Sequence, residues 1–172
     1  MPDAPFTTSP ASYGSGFISR RRLLLAGATA CVCNAGLAAP KTLPVAVSLP
    51  DELFHALKKS SPLLVMVSLE GCPFCKIVRE NYLAPMRDQQ GLHVVQVDMH
   101  SSRNIENFKR ATVTHDELIR RWAIKIAPTV LFFGSGGEEI AERLAGINSP
   151  DFYGAYLDDR LRLAHANILK AM

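Results

Sequence analysis

What the 172 residues lack narrows the field first. Cysteine is scarce, at four, so no dense disulfide scaffold holds this chain. Charged side chains make up 20% and neither sign dominates: 19 Lys and Arg against 16 Asp and Glu give a formal charge of +3. The 11 glycines and 11 prolines follow no period and no segment repeats, which sets aside collagen-like and repeat architectures. At 48% hydrophobic residues the chain is not a disordered one, and its length is that of one globular domain with residues to spare.

The spare residues come first. Residues 1–17 carry one charge, Asp3, and consist largely of Pro, Ser, Thr, Gly and Ala, too little apolar surface to fold. Ser19-Arg20-Arg21-Arg22-Leu23-Leu24-Leu25 then opens an uncharged stretch to Ala39, closed by Gly36-Leu37-Ala38-Ala39. Basic residues, an apolar run and a small-x-small site stand in the order a secretory signal requires. Paired arginines ahead of leucines resemble the twin-arginine signal that carries folded proteins across a bacterial inner membrane. The reading is a twin-arginine-type signal peptide over residues 1–38, cleaved after Ala38, and a domain over residues 39–172 that the twin-arginine machinery exports to the periplasm. A soluble helix fits less well, because such a run would expose a large apolar patch. An uncleaved inner-membrane anchor is the weaker alternative, since residues 23–39 reach only the lower edge of a membrane span. Cys31 lacks the leucine three positions earlier that usually marks a lipidated cysteine.

Removing residues 1–38 takes three of the 19 basic and one of the 16 acidic residues, leaving 16 and 15 and a charge of about +1. That excess excludes a nucleic-acid partner. Cys31 and Cys33 leave with the signal, so only Cys72 and Cys75 remain. One CxxC pair builds no disulfide framework and, without a second pair, no all-cysteine zinc site. Its disulfide would close too small a ring to restrain the unfolded chain much, so the pair serves chemistry rather than stability.

Residues 63–69, Leu-Leu-Val-Met-Val-Ser-Leu, read as a buried strand, and residues 72–83 have helical periodicity with Pro73 in the first turn. Cys72 then stands at a strand-to-helix junction, where unsatisfied N–H groups and the helix dipole favour a thiolate nucleophile. Cys75, one turn in and more sheltered, resolves the mixed disulfide that Cys72 forms.

The remaining pattern supplies a scaffold. Residues 92–98 form a second strand, making a βαβ unit with a parallel pair. Residues 51–59 form a helix that begins with acids and ends with lysines. Thr114-His115-Asp116-Glu117 is a capping box opening a helix to about Trp122. A strand beginning at Pro128, the turn Gly134-Ser135-Gly136-Gly137 and a returning strand over residues 140–144 form a hairpin. Ser149-Pro150-Asp151 opens a long amphipathic helix with Leu157, Leu161, Leu163 and Ile168 on its apolar side. A short strand near residues 45–47 completes the pattern.

Over about residues 50–170 the chain resembles the thioredoxin superfamily, on two motifs: Cys72-Pro73-Phe74-Cys75 after a buried strand, and Trp122-Ala123-Ile124-Lys125-Ile126-Ala127-Pro128-Thr129 before the hairpin. The resemblance implies an α/β thioredoxin fold, a central mixed sheet flanked by helices. It also implies a cis Pro128 facing the cysteines and an Ala127 backbone that receives an extended substrate. Two departures bear on mechanism. Gly71 and Pro73-Phe74 stand where thioredoxins carry Trp and Gly-Pro, and Met66 stands where they carry a buried carboxylate. Proton transfer to Cys75 therefore falls to water or another group, with Glu70 a candidate. The Pro-Phe dipeptide is also similar to that of glutaredoxins, though not the exported setting. Residues 99–121 form an insertion before the cis-proline strand, similar to exported thioredoxin-like proteins associated with sulfur oxidation. It is either a docking surface or a solvated segment with two apolar anchors.

The function so implied is a periplasmic thiol–disulfide oxidoreductase, favouring reduction, with protein thiols or disulfides as substrates. It needs no external cofactor and works with a membrane thiol electron transporter or a reoxidising partner. The competing class is a non-enzymatic Cu(I) carrier, two thiolates aided by His93, His100 or His115, none at convincing ligand spacing. No metal site is expected.

Overall fold

The computed structural model describes residues 41–147 and 149–171. The signal-peptide reading, the anchor alternative, and Cys31 and Cys33 lie outside the described residues.

A four-stranded mixed sheet in the order β2-β1-β5-β6 organises residues beyond Lys41. Its hub is β1 (Leu63–Ser68), buried at every position on both faces. β1 runs parallel to β2 (His93–Asp98) and antiparallel to β5 (Thr129–Phe133), which pairs antiparallel with β6 (Glu139–Ala145). A strand buried on both faces needs apolar residues without alternation, and Leu63-Leu64-Val65-Met66-Val67 supplies them.

Successive β1 side chains point to opposite faces, so each face owns a separate core. Leu63, Val65 and Val67 pack with Leu49, Leu53 and Ala56 of α1 (Leu49–Leu57) and with Leu118 and Ile119 of α4 (His115–Arg121). Leu64 and Met66 pack with Cys75, Val78, Leu83 and Met86, and with Leu157, Leu161 and Ala164 of α5 (Tyr153–Ala171). Each such large apolar side chain contributes roughly 1.5–3 kcal/mol on burial, and together they fix the sheet between two helical layers.

The helix after β1 has three parts: α2 (Pro73–Ile77), a π-helical turn (Val78–Leu83) and α3 (Ala84–Gln90). Helical structure thus runs to Gln90, past the Leu83 end read from periodicity. Pro85 explains the irregularity. In an unbroken α-helix its ring would meet the Asn81 carbonyl and it would donate no hydrogen bond. The wide turn, in which the Ala84 N–H bonds back to the Arg79 carbonyl, absorbs the misfit. Gly91, with φ +70°, closes α3.

The insertion is ordered. Between β2 and α4 it folds into an antiparallel hairpin of β3 (Asn104–Glu106) and β4 (Thr112–Thr114). Asn107 shapes its turn by accepting from the N–H groups of Lys109 and Ala111 at 2.9 and 3.1 Å. Ile105 and Val113 are buried beside α1 and α4, and the Phe108 ring lies 4.7 Å from that of Phe133. The two-anchor solvated segment was thus too loose a reading: backbone pairing and a third apolar contact hold it. The capping box forms as read, with Thr114 accepting from the Glu117 N–H and Glu117 from that of Thr114.

Two further expectations change. The strand near residues 45–47 is reduced to isolated bridges, Val45 to Gln96 and Ser48 to Glu106, because the chain turns at once into α1. In α5 the buried stripe is Tyr153, Leu157, Leu161, Ala164 and Ile168, whereas Leu163 is 43% exposed, two positions off the stripe. Among the described residues no helix is long and apolar enough to cross a membrane.

Candidate functional site

β1 delivers the chain to the site and Gly71 turns it. Gly71 has φ +72°, a conformation other residues rarely adopt, and the Cys72 N–H bonds back to the Leu69 carbonyl at 3.3 Å. Cys72 is consequently the N-cap of α2. Its Sγ accepts a hydrogen bond from the Cys75 N–H at 3.2 Å, so one orphan donor of the first turn is directed at the sulfur. Pro73 occupies the following position, where a missing N–H does no harm.

The two free thiols differ in setting. Cys72 is half-buried, whereas Cys75 is fully buried against Met66 and Val78. Burial pushes the Cys75 thiol up to about 11, and the neighbouring Cys72 sulfur adds to the rise, while the Leu69 backbone and the Ser68 hydroxyl pull the other way. A sulfur held so high stays a thiol at neutral pH.

From the other side the Ala127–Pro128 bond, which is cis, brings the Ala127 carbonyl oxygen to 4.0 Å from Cys72 Sγ. Pro128 is buried and Ala127 half-buried. Phe74 and Ile126, one within each motif, are 51% and 55% exposed. The structure thus brings Cys72, Cys75, Pro73, Phe74, Ala127 and Pro128 into one region. Glu70 is exposed in the wall of a groove of about 1250 Å³ that also includes Cys72, Lys76, Arg79, Asp98 and Arg103. Glu70 is not among the groups acting on Cys75, which are Cys72, Leu69 and Ser68.

Sequence reasoning missed the polar network beside the thiols. Arg79 Nη2 donates to Ser68 Oγ at 2.8 Å and Arg79 Nε donates to Gln96 Oε1 at 2.8 Å. Gln96 Nε2 in turn donates to Asp98 Oδ1 at 2.6 Å. Two signals stood in the sequence: Ser68 shares the β1 face of Leu64 and Met66, and Arg79 follows Cys75 by four residues, one helical turn. Tyr153 was also missed. Its hydroxyl is buried without a partner, its ring lies 5.2 Å from that of Tyr82, and burial, with Tyr82 and Cys75 nearby, drives its pKa far up.

The histidines do not gather at the cysteines. His93 pairs with Glu52, and exposed His100 lies 3.6 Å from Asp116. His115 is fully buried, with Nδ1 accepting from the Asp98 N–H at 3.1 Å and Nε2 facing the Ala46 carbonyl at 3.3 Å. Both ring nitrogens are therefore occupied by the fold. Among the described residues no group of three or more His, Cys, Asp or Glu is placed to hold a metal ion.

The family model of a thioredoxin-like domain matches residues 49–161. Among solved structures, thioredoxin O2 from Arabidopsis thaliana is 16% identical, with 67% of this chain and 93% of that one covered and a TM-score of 0.45. The DsbH oxidoreductase is 15% identical over 88% and 96%, with a TM-score of 0.49. The periplasmic thioredoxin SoxS from Paracoccus pantotrophus is 18% identical over 60% and 98%, with a TM-score of 0.39. No curated protein matches the sequence.

Proposed function

From the premise that this chain belongs to the thioredoxin-like family, we propose that it is a thiol–disulfide oxidoreductase, exported to the periplasm, that reduces protein disulfides through Cys72 and Cys75. One observation carries the reading: an accessible sulfur at a helix N-cap, bonded by the N–H of a buried second cysteine and faced by the carbonyl before a cis proline.

In the reductive direction the Cys72 thiolate attacks one sulfur of a substrate disulfide. A Cys72–substrate disulfide forms, and the other substrate sulfur leaves as a thiolate that takes up a proton. Cys75 gives up its proton, attacks the Cys72 sulfur and releases the second substrate thiolate. Two electrons pass to the substrate and a Cys72–Cys75 disulfide remains. The Ala127 backbone pairs with an extended substrate segment, and Phe74 and Ile126 offer it apolar surface. The high pKa of Cys75 keeps the roles apart, since only the half-buried sulfur is free to attack first.

Residues 1–38 serve as the twin-arginine export signal. In an oxidising compartment the reduced pair is renewed by a membrane thiol electron transporter; no dissociable cofactor takes part. A reduction potential of the Cys72–Cys75 couple near about −270 mV marks a reductant, and one near about −120 mV an oxidant. The decisive experiment is Cys75→Ser in the exported protein. It should trap substrates on Cys72 as mixed disulfides that dithiothreitol releases, and Cys72→Ser should trap none. Absence of trapped protein, with no insulin disulfide reduced by the wild type, overturns the reading.

A further inference from the structure

The resolving step requires Cys75 to become a thiolate in a buried, largely apolar setting. The strand residue six before Cys72 is Met66, fully buried and without a proton to exchange. The polar group that β1 does bring to this face is Ser68, two residues further on and 1% exposed. It stands on the face of β1 whose Leu64 and Met66 share a core with Cys75, its hydroxyl acts to lower the pKa of that thiol, and its oxygen accepts a hydrogen bond of 2.8 Å from Arg79 Nη2. The guanidinium is held in turn from β2, where Nε donates to Gln96 Oε1 at 2.8 Å and Gln96 is anchored on Asp98 at 2.6 Å.

We propose that Ser68, positioned by Arg79, stabilises the Cys75 thiolate as it forms, doing with a hydroxyl and a guanidinium what the position of Met66 cannot do. The donor inventory makes the case. A serine hydroxyl has one hydrogen, and Arg79, a pure donor, uses only the oxygen of Ser68, so that hydrogen remains available to the sulfur. A hydrogen bond to an anion is about twice as strong as one between neutral groups, and the fixed positive charge behind Ser68 strengthens it further. Arg79 is a positioning residue, because it accepts no proton. The proton leaving Cys75 passes to the first substrate thiolate released, and the new Cys75–Cys72 bond forms as the Cys72–substrate bond breaks. The other titratable groups facing Cys75 are Cys72 and Tyr153.

This inference rests on the exchange reaction proposed above, and one experiment separates the two. The reduced domain is mixed with the aromatic disulfide DTNB. Attack by Cys72 releases one coloured thionitrobenzoate, and resolution by Cys75 releases a second. Ser68→Ala should leave the first phase at the wild-type rate and slow the second by about tenfold, the scale of one charge-assisted hydrogen bond. Ser68→Thr, which keeps the hydroxyl, should restore it. Arg79→Gln should slow the same phase, and it decides the matter should Ser68→Ala fail to fold. Unchanged second phases, or both phases slowed alike, overturn the role of Ser68 and Arg79 and leave the exchange reaction standing. A wild type that releases only one thionitrobenzoate overturns the exchange reaction itself.

Discussion

At the scale of single residues, the fold depends on a few positions where an atom more or less decides. Gly137 is one. It has φ +75°, and a Cβ there would lie 2.4 Å from Phe108 Cγ, against the ring that pins the insertion hairpin to Phe133. Gly137→Ala combines backbone strain with a clash against a packed ring, and should destabilise the domain by about 2 kcal/mol, read as a lower urea midpoint with unchanged m. Gly71 differs: nothing lies within 4 Å of a Cβ there, so its constraint is the backbone angle alone. The glycine in the tryptophan position of thioredoxins thereby serves a turn that brings Cys72 to the head of α2. The placement of Cys72 and Cys75 at the head of a helix was legible from their spacing and the strand before them. Ser68 was not, because a serine ending an apolar strand reads as its boundary until Arg79 is seen bonded to it.

At the scale of elements, most of what the sequence announced was local. β1, β2, α1 and the hairpin of β5 and β6 follow from runs and turns that each element carries within itself. The capping box is the strongest such signal, and Thr114→Ala should cost about 1 kcal/mol and lower Tm by roughly 3–5 °C in calorimetry. Glu117→Ala should do less, since the threonine retains its bond to the N3 backbone. What was not legible was relational. The β3–β4 hairpin has strands of three residues, too short for alternation to register, and it stands because Ile105 and Val113 find α1 and α4. The continuation of the helix past Leu83 was hidden by Pro85, which reads as a stop. Only a π turn shows how the chain accommodates it. Leu163 was misplaced because Tyr153, not a leucine, leads the buried stripe of α5.

At the scale of the whole domain, buried His115 ties three separate parts together: the Ala46 segment before α1, the Asp98 end of β2 and the start of α4. Its Nδ1 accepts the Asp98 N–H, so the ring must be neutral, and burial accordingly lowers its pKa below the ordinary value of about 6.5. The sign follows from linkage. Below pH of about 6.5 the unfolded chain takes up a proton that the folded chain refuses, so this contribution to stability is complete above that pH and is lost as pH falls toward the lowered folded value. Urea midpoints measured from neutral pH downward should decline over this range. His115→Gln should start lower and decline less steeply; a variant that falls in parallel with the wild type would remove His115 as the cause.

The central strand has one more consequence. β1 is buried on both faces and paired along both edges, and its Leu64 and Met66 share a core with Cys75. Such a strand has no independent breathing motion: freeing any part of it means parting the sheet and both cores at once. Accommodation of differently shaped substrates therefore cannot come from the floor beneath the cysteines. It is left to the periphery, to the Gly71 turn and the side chains of the groove, so that tolerance toward partners and rigidity of the reacting sulfurs are assigned to different atoms.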